Sequence, residues 1–110
     1  MTYAANYTLN GTGLMSEQHY QYTSAEGESS TECRYNEDMA VARPQKFYQL
    51  PRGRPDLLIQ EIRNQPVAVM IDASSAAFQQ YNGEGVITGD ECGDKPNHAV
   101  LAVGYGHDED

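Results

Sequence analysis

Positive charge is scarce in this 110-residue chain: seven lysines and arginines stand against sixteen aspartates and glutamates, a formal net charge of −9. Phosphate backbones and anionic membrane surfaces are bound by clustered basic groups that release counterions, so nucleic acid and membrane are both excluded as expected partners. The acidic surplus reads as a solubility device. Long apolar runs are also lacking, none approaching the roughly 20 residues of a bilayer span. The opening Met1-Thr2-Tyr3-Ala4 carries neither the basic nor the apolar stretch of a secretory leader, so no signal peptide is expected in this chain. Disorder is not implied, because 39% of the residues are hydrophobic and eight are tyrosines.

Cysteine occurs twice, as Cys33 and Cys92, with no CxxC pair and no histidine at zinc-ligand spacing, so no metal site is expected. Both sit in polar, turn-like surroundings typical of disulfide ends rather than of core thiols. The residues alone are compatible with the two pairing to each other or staying free. The glycines of Gly104-Tyr105-Gly106 do not make a phosphate loop, since no lysine follows, and no cofactor is called for.

What is present is a succession of short elements. TYAANYTLN (2–10) spaces Tyr3, Ala4 and Tyr7 helically and runs into Gly11-Thr12-Gly13, which predicts a short helix with a stop. Residues 16–39 are polar, tyrosine-rich and aperiodic and read as a loop. VARPQKFYQL (41–50) suggests a strand, confined to an edge or bulge by Pro44. Pro55 at a first helical position, Asp56 at the positive end of the dipole and Leu58 with Ile62 one turn on predict a helix over 55–64 with a buried stripe. VAVMIDA (67–73) is a continuous apolar run short enough for a strand buried on both faces. One or two helical turns are expected over 74–81 with Phe78 and Tyr81 inward, then a short strand at VIT (86–88) among glycines, then a last strand, AVLAVGY (99–105). No repeat or low-complexity linker divides the chain, which predicts one compact strand-rich region with two or three short helices, α+β in class.

His98 follows Asn97 and opens a strand whose next five residues are apolar. A histidine at a strand mouth beside a glycine-rich loop is suited to proton transfer near neutral pH. The competing reading is a structural histidine with its hydrogen bonds satisfied. Two glycosylation acceptor triplets, Asn6-Tyr7-Thr8 and Asn10-Gly11-Thr12, are of a kind common by chance, and one falls in the expected helix. The acidic tail 107–110, with His107, reads as a solvated terminus rather than a weak cation site.

Taken together, residues 65–106 show an ordered constellation: a PVAVMIDA strand, the aromatic SSAAFQQYNGEGV segment, a cysteine at CG and the NHAVLAVGYG strand. Upstream, GLMSEQHYQYT leads to ECRYN. In order and spacing, from about residue 2 to 106, this resembles the papain-like cysteine peptidases, the family of papain and the cathepsins. The resemblance implies the papain-like α+β fold. Residues 1–40 would be the end of the helical, cysteine-side domain with its connecting loop, and 41–110 part of the strand-rich, barrel-like histidine-side domain.

The same resemblance makes His98 the catalytic histidine and places Met70, Pro96, Asn97 and Ala99 along the pocket for the second substrate side chain on the acyl side. It implies that Cys33 and Cys92 are disulfide cysteines, each with its partner outside this chain. Neither matches the nucleophile, and no CGxCW-like motif occurs in the chain. In the family the nucleophile precedes the histidine by roughly 130 to 150 residues, about 30 to 50 before Met1, and the orienting asparagine of an Asn-Ser-Trp motif would follow Asp110. The expectation is therefore an internal piece of an endopeptidase that cleaves peptide or protein substrates once a second polypeptide segment supplies the cysteine. Alone, the chain is expected to be inactive. The family compartment would be lysosomal, vacuolar or extracellular. The alternative is a catalytically inactive, remnant-fold protein that docks on a partner through unpaired strand edges.

Overall fold

The computed structural model describes residues 1–25, 27 and 32–107. Helix α1 covers Thr2–Leu9 and ends where Gly11 takes φ +93°, a conformation open to glycine and unfavourable to other residues. Its sequence was expected to stop there. Of the loop expected over 16–39, residues 26 and 28–31 lie outside the described residues, as does 108–110 of the acidic tail. The remainder is irregular apart from a 3₁₀ turn at Glu37–Met39, capped by the Asn36 side chain, which accepts from the Asp38 N–H at 3.0 Å.

Two short strands, β1 (Leu14–Met15) and β2 (Ala40–Ala42), pair antiparallel with a register irregularity between Leu14 and Met15. Gly13 makes this approach possible: a Cβ there would lie 2.7 Å from the Ala40 Cβ and 2.9 Å from the Ala42 carbonyl oxygen. Its N–H donates to the Tyr35 hydroxyl at 2.8 Å. The strand expected over 41–50 is thus confined to Ala40–Ala42. Pro44 contributes no ladder donor, and among the described residues the rest of the segment has no strand beside it.

Helix α2 (Pro55–Ile62) begins with its proline in the first turn, as expected, and packs against strand β3 (Val67–Ile71). Strand β4 (His98–Ala102) pairs antiparallel with β3 in the register Val67↔Ala102, Ala68↔Leu101, Val69↔Val100, Met70↔Ala99 and Ile71↔His98. Val67, Val69 and Ile71 are half-buried while Ala68 and Met70 are exposed. The apolar run was expected to be covered on both faces. It is covered on one, because the sheet is a two-stranded ribbon and the α2 helix packs on a single side.

Helix α3 is a single turn, Ala76–Gln79, capped by the Ser75 hydroxyl, which accepts from the Phe78 N–H at 3.2 Å. Phe78 and Tyr81 were expected inward and are instead exposed, the Tyr81 hydroxyl donating to the Gly85 carbonyl at 2.7 Å. The expected VIT strand does not form, since among the described residues no strand lies alongside it to supply a ladder, and β4 ends at Ala102 rather than at Tyr105. The chain divides into two units, residues 1–49 and 50–110, in place of the single region expected from its lack of linkers. Each unit is α+β with one two-stranded antiparallel sheet, and no closed barrel is present among the described residues.

Candidate active site

The first residue of β4 is His98, opposite Ile71 at the last rung of the ribbon. Its ring is exposed and makes no hydrogen bond among the described residues. Met70 and Ala99 are directly opposed one rung further in, on the other face, because paired residues share a face and successive residues alternate. Met70 is 43% exposed, so the thioether is available at the ribbon surface. Pro96 and Asn97 precede the strand and are also exposed. The residues singled out from the sequence therefore gather at one end of one ribbon, with His98 and the Met70–Ala99 pair on opposite faces.

That end is organised by a residue that no sequence pattern singles out. Asp72, immediately after β3, is the one buried charged side chain among the described residues, 8% exposed. One carboxylate oxygen accepts from the Ser74 N–H at 2.9 Å, from the Ser74 hydroxyl and from the Asn97 amide nitrogen at 3.4 Å. The other accepts from the Lys95 N–H at 3.0 Å. Hydrogen bonds from the Ser74 hydroxyl, then from the backbone N–H groups of Ser74 and Lys95, hold this carboxyl below the usual carboxylate range, with a smaller pull from the Lys95 charge and an opposing push from desolvation.

Gly93 lies so close to Asp72 that a Cβ there would come 2.5 Å from the carboxyl carbon and nearer still to an oxygen. Asn97 is held at three points: its N–H donates to the Ile71 carbonyl at 2.9 Å, its side-chain oxygen accepts from the Ala73 N–H at 2.9 Å, and its side-chain nitrogen reaches Asp72. At the far end of β4, Tyr105 accepts a 2.8 Å hydrogen bond from the Arg63 guanidinium, which also lies 5.6 Å from the ring centre.

Cys33 and Cys92 are both exposed, and neither forms a disulfide among the described residues. No group of three or more His, Cys, Asp and Glu side chains suited to a metal ion occurs among the described residues, and no helix there is long and apolar enough to cross a membrane.

Comparison with known proteins places this geometry in context. The family described as papain family cysteine protease matches residues 1–110. The chain is 36% identical over 110 residues to cysteine proteinase EP-B 1 of Hordeum vulgare, covering 100% of this chain and 29% of that protein. It is 35% identical over 108 residues to cathepsin S of Bos taurus, covering 97% and 31%. Among solved structures, the Carica candamarcensis cysteine protease CMS1MS2, crystallised in complex with E-64, superposes with a TM-score of 0.75 at 34% identity, over 94% of this chain and 46% of that one. The chain thus spans less than a third of the length of these curated relatives. A match along its whole length in sequence, and over 94% of it in backbone, means that the chain belongs to the papain family of cysteine proteases.

Proposed function

We propose that the chain supplies the histidine-bearing part of a papain-like cysteine endopeptidase, with His98 as general base and acid and with the nucleophilic cysteine coming from a segment outside residues 1–110. On this reading residues 1–40 close the cysteine-side domain and 41–110 form part of the histidine-side domain. A thiolate paired with the His98 imidazolium attacks the peptide carbonyl carbon. As the C–N bond breaks, the imidazolium passes its proton to the departing amine. Water, deprotonated by the neutral imidazole, then hydrolyses the thioester and returns the thiol.

Met70 and Ala99, with Pro96 and Asn97 at the strand mouth, line the pocket for the second substrate side chain on the acyl side. Cys33 and Cys92 each bond to a cysteine outside the chain, in a lysosomal, vacuolar or extracellular setting where disulfides persist. The observation that carries this reading is an exposed histidine at the first residue of β4, without a hydrogen bond to its ring among the described residues and one rung from the Met70–Ala99 pair, in a chain of this family.

The test begins with the intact mass of the native sample before and after reduction, which should release a second polypeptide. A thiol-reactive peptidase probe should label that assembly and leave the 110-residue chain unlabelled. In the assembly, His98→Ala should lower turnover by about 10²- to 10⁴-fold. Absence of labelling in the native assembly would favour the non-catalytic docking protein instead. Turnover by the purified chain alone, abolished by Cys33→Ser or Cys92→Ser, would overturn the assignment of the cysteines.

A further inference from the structure

The His98 ring has no hydrogen bond of its own among the described residues, so its aim is set by the backbone that carries it. That backbone is fixed on one side by the ladder with β3 and on the other by the segment 93–97. Among the described residues the hydrogen bonds that hold the segment converge on one side chain and its immediate neighbours. Lys95 N–H donates to Asp72, Asn97 is tied to Asp72, Ala73 and Ile71, and Gly93 leaves the space in which the carboxylate sits.

We infer that Asp72 is a positioning residue for His98: its carboxylate locks residues 93–97 against the end of β3 and thereby fixes where the imidazole leaves the strand. The inference rests on the proposed catalytic role of His98 for its functional meaning, while the lock itself does not depend on that role.

Among the described residues four donors meet the two carboxylate oxygens and no acceptor does. Only an acceptor at both oxygens satisfies that arrangement. An asparagine in place of Asp72 would turn its NH₂ either on the Lys95 N–H or on the Ser74 donors, leaving a donor facing a donor in a confined site. A glutamate carries one more methylene into a space already closed by Gly93. Ionised aspartate is thus the one side chain whose length and acceptor count fit, and Asn97 is placed so that the next residue, His98, falls opposite Ile71.

The test is heteronuclear NMR of the full 110-residue chain, bare and in its native assembly, for wild type, Asp72→Asn and Lys95→Gln. In Asp72→Asn the Asn97 amide, which donates to the Ile71 carbonyl, should exchange at least about tenfold faster, and the His98 ring and backbone resonances should move, while the Val67 and Ala102 end of the ribbon stays unchanged. Lys95→Gln keeps the backbone donor and removes only the side-chain charge, so it should leave His98 where it is. In the assembly Asp72→Asn should lower kcat with KM within about twofold, the signature of a misplaced catalytic group rather than a lost substrate contact. Should Asp72→Asn unfold the ribbon, Gly93→Ala perturbs the same lock from the opposite wall and should reproduce the Asn97 and His98 changes. Unmoved His98 resonances in both variants, or an equal response to Lys95→Gln, would overturn the inference. If His98 responds and the wild-type assembly hydrolyses nothing, the lock stands and the peptidase reading falls.

Discussion

Replacing Gly93 with alanine is the most demanding check on the packing around Asp72. The added methyl would lie 2.5 Å from the Asp72 carboxyl carbon and 3.0 Å from its Cβ, far inside van der Waals contact. The obstruction cannot swing away like the end of a flexible side chain, because Asp72 is short and hydrogen-bonded at both oxygens. Inserting a methyl into a filled site costs about 1–3 kcal/mol. With a urea dependence of about 1–3 kcal/mol per molar for a small domain, the midpoint should fall by about 1 M.

The assay follows unfolding through the amide resonances of β3 and β4, so that it reports residues 50–110 and not the other unit. Gly89→Ala is the control: a Cβ there meets nothing within 4 Å and its φ is not positive. It should be neutral or stabilise by a few tenths up to about 1 kcal/mol through the unfolded state. Equal midpoints for Gly93→Ala and Gly89→Ala would refute the close approach on which this reasoning stands.

Acid should act through the same group. The Asp72 carboxyl is held below its unfolded value, so its contribution is complete above the usual carboxylate range and is lost as pH falls through the lower, folded value. Exchange protection of the Ser74 and Lys95 amides, corrected for intrinsic rates, should stay flat from neutral pH down to about 4 and decline only below it; a decline centred nearer neutrality would refute the assignment. Ser75→Ala removes the side-chain cap of α3 and should cost about 0.5–2 kcal/mol, read as a lower urea midpoint together with loss of the Phe78 amide protection. Arg54→Ala breaks the ion pair with Asp56 at 2.6 Å, yet both side chains are more than half exposed, so the midpoint at physiological salt should not move measurably.

The helices and the ribbon were legible because their signals are local. Gly11 ends α1, and Pro55 with the Leu58 and Ile62 spacing declares α2. Strand expectations failed where a strand needed a neighbour that the sequence does not name: residues 43–50 and 86–88 have suitable composition and, among the described residues, no ladder partner. Phe78 and Tyr81 went outward for the same reason, since an aromatic side chain turns inward only where other elements enclose it. His98, Met70 and Ala99 are singled out only by their order in a pattern that resembles the family's. Asp72 was passed over because its partners lie at Ser74, Gly93, Lys95 and Asn97, and only the closure of β3 on β4 brings the distant three to it.

The composition of the β3–β4 ribbon gives that closure a second meaning. VAVMI on one strand and AVLA on the other are apolar on both faces, so hydrophobicity alone distinguishes poorly between the observed alignment and one slipped by a single residue. A slip of one step would carry His98 to the opposite face and separate Met70 from Ala99. Asp72 and Asn97 are the polar groups next to the last rung whose hydrogen bonds are met in the observed alignment and broken in the slipped one. The carboxylate therefore acts as an index mark: in an otherwise ambiguous pairing, it makes one alignment unique.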